Sequence, residues 1–342
     1  MPLSFSDFLN QLFQNPILFG TVLLTLAVLF VNGWTDAPNA IAGVVVTGAL
    51  PFHTAVFLAA VCNFLGVLCV TSVNASVAET IYSIASFGGG QKAALTALCA
   101  AMTAIVLWAV AAWLFGIPTS ESHALVAGIS GAAVALEGGF SCIRWDCWTK
   151  VFLGLILSAA AGFLVGKHMY RCLNRIKLFP HILLAAQVPG AAVTSFLHGA
   201  QDGQKFIGVF LLGTALASGR GDEQTFIIPL WLMALCAGFI SLGTLMGGRK
   251  IIDTVGRDMV TLGPYEGFSA DLGNILCLFG ATLLGLPVST THTRTCALLG
   301  VGSANGGKTN WNVAGKIILA WLLTFPGCLI IGYGIAKTFL AL

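Results

Sequence analysis

The stretch that decides the fold is Gly285-Leu286-Pro287-Val288-Ser289-Thr290-Thr291-His292, which lies between the apolar runs 275–284 and 296–301. Proline has a fixed φ and no N–H, so Pro287 suits the first turn of a new helix. The hydroxyl side chains that follow it then fall where the free N–H groups of that helix lie. Free N–H groups, hydroxyl donors and the positive end of a helix dipole together favour an anion-binding site.

A related stretch occurs earlier in the chain, as Gly116-Ile117-Pro118-Thr119-Ser120-Glu121-Ser122-His123. Gly, Pro, Ser and His recur in it at the same spacing, 169 positions apart. This recurrence indicates an internal duplication rather than a chance motif.

The composition is that of a membrane protein. The 342 residues are 57% hydrophobic and only 8% charged, with a mean hydropathy of +0.91, whereas soluble domains are about 25% charged. The net charge of +3 gives no reason to expect a nucleic-acid partner, and the N-terminus lacks the basic region of a cleavable signal peptide. Most of the ten cysteines lie in apolar runs; only Cys142 and Cys147, in a loop, are placed to form a disulfide.

Two apolar spans are interrupted by polar residues in a matched way. In the first, 17–31 and 40–50 flank the polar run 32–39; in the second, 182–197 and 206–217 flank 198–205. The two runs align at a spacing of 166, which pairs Asp36 with Asp202. Neither apolar piece of the first span reaches the ~20 residues that cross a bilayer. We therefore expect helices that unwind at these polar runs, facing protein or a watery cavity.

The pattern predicts an all-α polytopic membrane protein built of two inverted-topology repeats. The predicted units are an amphipathic lead-in at 1–15, repeat one at 16–166, a basic connector at 167–180 and repeat two at 181–342. Each repeat has about five segments, or three crossings if Pro118 and Pro287 mark the tips of re-entrant hairpins. Both counts are odd, so the second repeat is inverted. The basic connector is predicted to be cytoplasmic, which places both termini outside.

Asp36 and Asp202 are the strongest candidates for chemistry, because an ionised group inside hydrocarbon is costly unless paired or hydrated. Oxygen-bearing side chains flank both, namely Asn32, Thr35, Asn39, Gln201 and Gln204. Such a set suits a cation or a proton. The alternative is that each carboxylate caps a half-helix, and capping is compatible with ion binding.

The hydroxyl groups of the two Pro-x-Ser-x-x-His elements are candidate donors to a tetrahedral oxyanion: Ser120, Ser122, Ser289, Thr290 and Thr291. The alternative is that these side chains bond to the preceding turn or hold helices together. The symmetric occurrence of the element favours substrate binding.

The remaining ionisable residues leave more than one interpretation open. Glu121 and Arg294 either form a buried ion pair, or Arg294 neutralises the anion; Lys205 either serves the anion or extends to an interface. His123 and His292 either relay protons or brace the hairpins, and His198 is open to both interpretations. We expect Asp271 to be a charge at the N-terminus of a helix.

Four elements resemble the inorganic phosphate transporter (PiT, or Pho4) family: the polar runs 32–39 and 198–205 and the elements 118–123 and 287–292. The resemblance spans nearly the whole chain. It implies a homodimeric inverted-repeat carrier in the plasma membrane that moves inorganic phosphate with Na⁺ or H⁺. It also implies that the aspartates and their amide neighbours take part in cation and phosphate binding, and that the hairpin hydroxyls bind phosphate.

The chain departs from the usual family pattern at several positions. Thr35 and Gln201 stand where Asn usually precedes the aspartate, Glu121 replaces a usual Thr, and Arg294 replaces an apolar residue. An added buried acid favours proton coupling, whereas Na⁺, if used, would be held by Asp36 and Asp202.

The sequence therefore predicts an alternating-access phosphate symporter driven by H⁺ or Na⁺, and not an enzyme. We expect phosphate at the hairpin hydroxyls with Gln204 and Arg294. Asp36, Asp202, Asn32, Asn39, Thr35, Gln201 and Glu121 are the coupling residues, and no cofactor other than the ion is expected. A sulfate or other oxyanion permease, an anion channel, and a membrane-embedded hydrolase using Ser289 and His292 are the alternatives.

Overall fold

The computed structural model describes residues 4–219, 227–306 and 309–342, and these residues are almost entirely helical. The helices of the first half are α1 Phe5–Gln14, α2 Pro16–Thr35, α3 Pro38–Val46, α4 Phe52–Val73, α5 Ser76–Tyr82, α6 Gln91–Leu114, α7 Glu121–Glu137 and α8 Trp145–Ile176. Those of the second half are α9 Pro180–Ala217, α10 Leu230–Met246, α11 Arg249–Asp253, α12 Pro264–Leu283, α13 Thr290–Ala304 and α14 Trp311–Ala341. A short 3₁₀ turn, Phe140–Cys142, precedes α8, and a π-helical turn, Thr254–Met259, follows α11.

Six helical spans of the described residues are long and apolar enough to cross a membrane, or seven if the bent unit formed by α10 with residues 249–259 is one span. The six are α2 with α3, α4, α6, α8, α9 and α14. The fold class predicted from the sequence, an all-α polytopic membrane protein, is confirmed.

The two helices that follow the Pro-x-Ser-x-x-His elements lie inside the molecule. α7 has 17 residues and α13 has 15, so at 1.5 Å per residue neither covers the ~30 Å of a hydrocarbon core alone. Nearly every side chain of both helices is buried. Other protein segments, rather than lipid, surround them.

The helices of the two halves pack in reciprocal pairs. α7 lies against α14 while α13 lies against α8, and α2 lies against α10 while α4 lies against α9. Each half thus supplies the packing partner of the other half's corresponding helix. This reciprocity is what a duplicated chain produces; the inverted orientation of the halves remains a prediction.

Glycines allow the closest of these helix crossings. A Cβ added at Gly33 would overlap the carbonyl oxygen of Ile240, and one added at Gly243 would overlap that of Phe30, where α2 crosses α10. The crossing of α4 and α9 is made in the same way by Gly66 and Gly199. Backbones that approach so closely leave no room for a side chain, as at other membrane helix contacts.

The two polar interruptions differ in structure. In the first, α2 ends at Thr35 and α3 begins at Pro38, because Pro38 has no N–H to continue the helix. The second is not interrupted: α9 continues through 198–205 as one helix of 38 residues. The prediction that the second span unwinds was therefore wrong. Its polar residues include no proline, and their side chains bond to neighbouring helices instead of displacing the backbone.

The connector between the two halves is short. Lys167, Arg171 and Arg175 lie in the last turns of α8, and the left-handed residue Lys177 ends that helix, so only 177–179 separate α8 from α9. Cys142 and Cys147 are both free thiols.

Gly243→Ala should destabilise the protein by about 1–3 kcal/mol, because its new methyl group must displace the backbone of α2. Gly238→Ala in the same helix is the matched control, since no atom lies within 4 Å of a Cβ added there. Thermal denaturation of the two purified variants checks the prediction. Equal melting temperatures would show that the α2–α10 crossing tolerates a side chain.

Candidate functional site

The two aspartates predicted as a pair meet at the centre of the molecule. The side-chain amide of Asn32 donates to Asp36 Oδ2 over 3.3 Å and to Asp202 Oδ2 over 3.2 Å. Asp36 follows the last residue of α2, Asp202 lies in the middle of α9, and all three side chains are buried. One amide thus joins the matched acids of the two halves.

Asp202 has charged and polar neighbours on every side. Lys205 Nζ lies 2.6 Å from Asp202 Oδ1, and His198 Nε2 lies 3.3 Å from Oδ2. The three residues occur at i, i+4 and i+7, which places them on one face of α9. Thr290, the first residue of α13, donates its hydroxyl to Asp202 Oδ2 over 3.2 Å.

Lys205 lies inside the protein and makes three short contacts. Its ammonium contacts Asp202 Oδ1, Ser122 Oγ and the carbonyl oxygen of Val288, each at 2.6 Å. Lys205 is 1% exposed, so it does not extend to an interface. Because an ammonium has three N–H donors, Lys205 has none left for an anion in this conformation.

The first half supplies a second set of contacts between acids, amides and hydroxyls. The Thr35 hydroxyl donates to Glu121, and the Asn39 amide donates to the Thr291 hydroxyl over 3.4 Å. Both contacts link the α2–α3 break to the start of a short inner helix. The first polar run therefore faces both hairpin elements.

Ser120 and Ser289 cap the inner helices. Each hydroxyl accepts a bond from the backbone N–H three residues later, that of His123 over 3.4 Å and that of His292 over 3.2 Å. These are N-cap bonds to the following turn, whereas the alternative interpretation expects bonds to the preceding turn. Ser122, Thr290 and Thr291, in contrast, contact side chains of other helices.

The two motif histidines meet across the halves. Their ring centroids lie 4.5 Å apart, His292 stacks on Trp321 at 3.7 Å, and His123 packs on Phe325 at 4.6 Å. Both rings are buried. The geometry favours bracing of the hairpins. His198 has a different role, since its Nδ1 lies 3.0 Å from Asn63 Oδ1 and its Nε2 faces Asp202.

Arg294 pairs with Asp271, at 2.6 Å between NH1 and Oδ1, and not with Glu121. The alternative in which Glu121 and Arg294 form an ion pair was therefore wrong, as was the expectation that Asp271 is a charge at a helix N-terminus. α12 begins at Pro264, so Asp271 is two turns inside the helix and faces α13. Both partners are 1% exposed.

The two glutamines of the second polar run bond away from the aspartates. Gln201 donates to the Thr282 hydroxyl over 3.0 Å, and Gln204 donates to the carbonyl oxygen of Asn74 over 2.9 Å. In both, the side-chain oxygen is buried without a hydrogen-bond partner among the described residues. The other predicted site residues lie close together, whereas Gln201 and Gln204 lie at the edge of the site.

Two small cavities flank the aspartates. The one we call the aspartate cavity lies between α3, α9, α12 and α13 and is lined chiefly by polar side chains: Asp36, Asn39, Thr194, His198, Asn274, Thr290 and Arg294. The other, the serine cavity, is lined by Ser122, His123, Lys205 and Ser289 and by apolar residues of α5, α7 and α8. Thr290 thus lines the aspartate cavity, whereas Ser122 and Ser289 line the serine cavity.

The chain has known relatives. The sequence model of the phosphate transporter family matches residues 32–184 and 178–332. The chain belongs to the phosphate transporter family. Its relatives are named as transporters and permeases, not as enzymes.

Two curated relatives illustrate the similarity. A probable low-affinity inorganic phosphate transporter of Bacillus subtilis (strain 168) is 37% identical over 314 residues, which are 89% of this chain and 92% of the relative. One from Rhizobium meliloti (strain 1021) is 35% identical over 325 residues, 92% and 94% of the two chains. A solved structure, named as the sodium-dependent phosphate transporter, superposes with a TM-score of 0.86 over 95% of this chain and 99% of that one. At 22% identity it shows that the fold is shared.

Asp271 is the site residue that sequence reasoning missed. The 169-residue spacing of the hairpin elements places Asp271 opposite Met102 and Arg294 opposite Leu125. Met102 and Leu125 are both buried in the apolar core of the first half. Asp271 and Arg294 carry opposite charges, and each stands where the other repeat has an apolar residue. This difference between the repeats is the signal that would have predicted the ion pair.

Asp271→Asn should destabilise the protein by about 3–5 kcal/mol, since it leaves a buried arginine without its counter-charge. The double variant Asp271→Met with Arg294→Leu copies the first half and should recover most of that loss. Thermal denaturation of the purified proteins measures both effects. If the double variant is as unstable as the single one, the pair does more than balance charge in the folded protein.

Proposed function

We propose that this protein is a secondary active transporter that carries inorganic phosphate across the membrane together with H⁺ or Na⁺, by alternating access. Membership of the phosphate transporter family supports the substrate. The single observation that carries the coupling is the meeting of Asp36 and Asp202 at one amide, that of Asn32.

The charges of the buried centre explain why the two fluxes are coupled. Six buried ionisable side chains, which we call the central cluster, are the acids Asp36, Glu121, Asp202 and Asp271 and the bases Lys205 and Arg294. If all four acids are ionised, the central cluster carries four negative and two positive charges, which leaves a net charge of −2. A phosphate anion would add to this excess in a medium where charge is costly. Cations or protons that neutralise the acids remove that obstacle, so anion and cation enter together.

The anion is proposed to bind between the two hairpin elements. Ser122 and Thr290 face the central cluster from α7 and α13, and the N-termini of both helices point towards it with their partial positive charge. Thr291, Ser120, Ser289 and Gln204 complete the predicted set. Arg294 contributes its charge from the aspartate cavity, with Asp271 as its counter-ion.

The cation is proposed to bind at Asp36. Glu121 and Thr35 lie beside it, and Asn39 has a buried side-chain oxygen without a hydrogen-bond partner among the described residues. Oxygen atoms of this kind can hold Na⁺, and a carboxylate among them can instead bind a proton. A plasma-membrane location, a homodimer and external termini belong to the same proposal and rest on the family resemblance and the charge pattern.

The rival functions have less support. The Ser289 hydroxyl accepts from the His292 backbone N–H, whereas a hydrolase needs it to face a base. An anion channel has no need for four buried acids. A sulfate permease of the same fold would bind a similar tetrahedral dianion and is separated from a phosphate carrier by competition.

Purified protein in liposomes should accumulate radiolabelled phosphate when the gradient of its coupling ion, either Na⁺ or H⁺, is imposed. Imposing the gradients one at a time identifies the ion, and excess sulfate should not compete. Accumulation against the phosphate gradient excludes a channel, which only equilibrates. Competition by sulfate without phosphate accumulation would contradict the proposed substrate while leaving the family assignment intact.

Asp36→Asn should abolish gradient-driven uptake, because it keeps the side-chain shape but removes the charge that attracts the cation. Asp7→Asn in the exposed helix α1 is the matched control and should transport normally. Size-exclusion chromatography establishes that both are folded. Wild-type uptake by a folded Asp36→Asn protein would rule out Asp36 as the coupling residue.

A further inference from the structure

The oxygens around the Lys205 ammonium form a set that is typical of a small monovalent cation. One carboxylate oxygen, one hydroxyl and one backbone carbonyl surround Nζ at 2.6 Å each, from Asp202, Ser122 and Val288. They come from α9, from α7 and from the segment before α13, so three separate parts of the chain converge on one buried charge. Hard monovalent and divalent cations are bound in proteins by oxygens of these same kinds.

The same position exists in the first half without a lysine. The spacing of 166 that pairs Asp202 with Asp36 also pairs Lys205 with Asn39, and the hairpin spacing of 169 pairs Ser122 with Thr291. The contacts follow this correspondence. Lys205 donates to Ser122, and Asn39 donates to Thr291. Val288 corresponds to Thr119, which is also buried.

The two positions therefore differ by one positive charge. Asp202 has an ammonium at 2.6 Å, whereas Asp36 has the neutral amide of Asn32 and no Lys or Arg at ion-pair distance among the described residues. Asn39 corresponds to Lys205 in the sequence, and its Oδ1 is buried without a hydrogen-bond partner in the same part of the chain. A buried carboxylate and a buried unpaired oxygen are both costly, and a cation between them would lower both costs.

We propose that Lys205 is a tethered cation that takes, in the second half, the place that a transported cation takes at Asp36 in the first half. The inference rests on the proposed transport function and deepens it. Asp202 then stays neutralised throughout the cycle, and only the Asp36 position exchanges ions with the two sides of the membrane. The predicted Na⁺ role of Asp202 would thereby pass to Asp36 alone.

Two variants test the proposal. Lys205→Ala removes the side chain and leaves its space empty, and Lys205→Met fills the same space with an uncharged side chain. Melting temperatures are measured for both in an Asp36→Asn background, so that Asp36 binds no cation. Na⁺ and methylammonium are the probes, and choline, which is too large for the position, is the control cation. Lys92→Ala, at an exposed lysine of α6, controls for loss of a lysine elsewhere.

Na⁺ or methylammonium should raise the melting temperature of the Lys205→Ala protein saturably, by a few degrees or more, because a ligand that binds only the folded state stabilises it. The Lys205→Met and Lys92→Ala proteins should not respond. Equal responses of the Ala and Met variants, or none in either, would overturn the proposal. If Lys205→Ala is recovered folded only when a small cation is present, that also supports it, whereas failure in every salt overturns it.

Transport gives the second readout, now with Asp36 intact. Phosphate uptake by Lys205→Ala should fall about 100-fold in choline buffer, because Asp202 is left buried without a counter-charge, and should recover when Na⁺ or methylammonium is added. Recovered transport should carry an additional Na⁺ per phosphate relative to the wild type. Wild-type uptake and cation dependence in Lys205→Ala would overturn the proposal. A wild-type protein that moves no phosphate would contradict the proposed function instead, and the melting experiment would still test Lys205.

Discussion

Charge balance in a space without bulk water governs the centre of this molecule. The four acids and two bases of the central cluster are buried, and each ionised acid that lacks a partner raises the free energy of the folded state. The other polar features of the centre follow from this requirement. Asn32 shares its amide between two carboxylates, Thr290 donates to Asp202, and Lys205 uses all three of its donors on protein oxygens. In the transport cycle that we propose, the remaining negative charge makes cation binding a condition for anion entry.

The surrounding fold keeps water and lipid away from this centre while bringing distant segments to it. The short inner helices α7 and α13 are enclosed by longer ones, and their first turns reach the aspartates. Glycine crossings bring the outer helices close enough to close the enclosure. The two halves are alike in packing and unlike in charge. Lys205, Asp271 and Arg294 belong to the second half, and their counterparts Asn39, Met102 and Leu125 are uncharged. The symmetric scaffold thus holds an asymmetric site.

The sequence was sufficient to predict the parts of the fold that depend on repetition and hydrophobic length. The matched aspartates and the paired hairpin elements followed from spacing and residue type, and the resemblance of these elements to a known family indicated the family. It was not sufficient where a polar residue has a choice of partner. The run 198–205 resembles 32–39 in polarity, but only 32–39 contains a proline, and polarity alone does not unwind a helix. Arg294 pairs with Asp271 rather than Glu121 because of how α12 and α13 pack, which is tertiary information.

The reciprocal packing of the halves has a consequence for how the chain is made. α7, which carries Ser122 and His123 to the site, lies against α14, which follows all the other described helices in the chain. Until α14 is synthesised, α7 lacks its main packing partner, and His123 in its first turn lacks Phe325 beside it. The first half therefore cannot reach its final structure while it is the only part of the chain in the membrane. The site is therefore complete only after α14 has been synthesised.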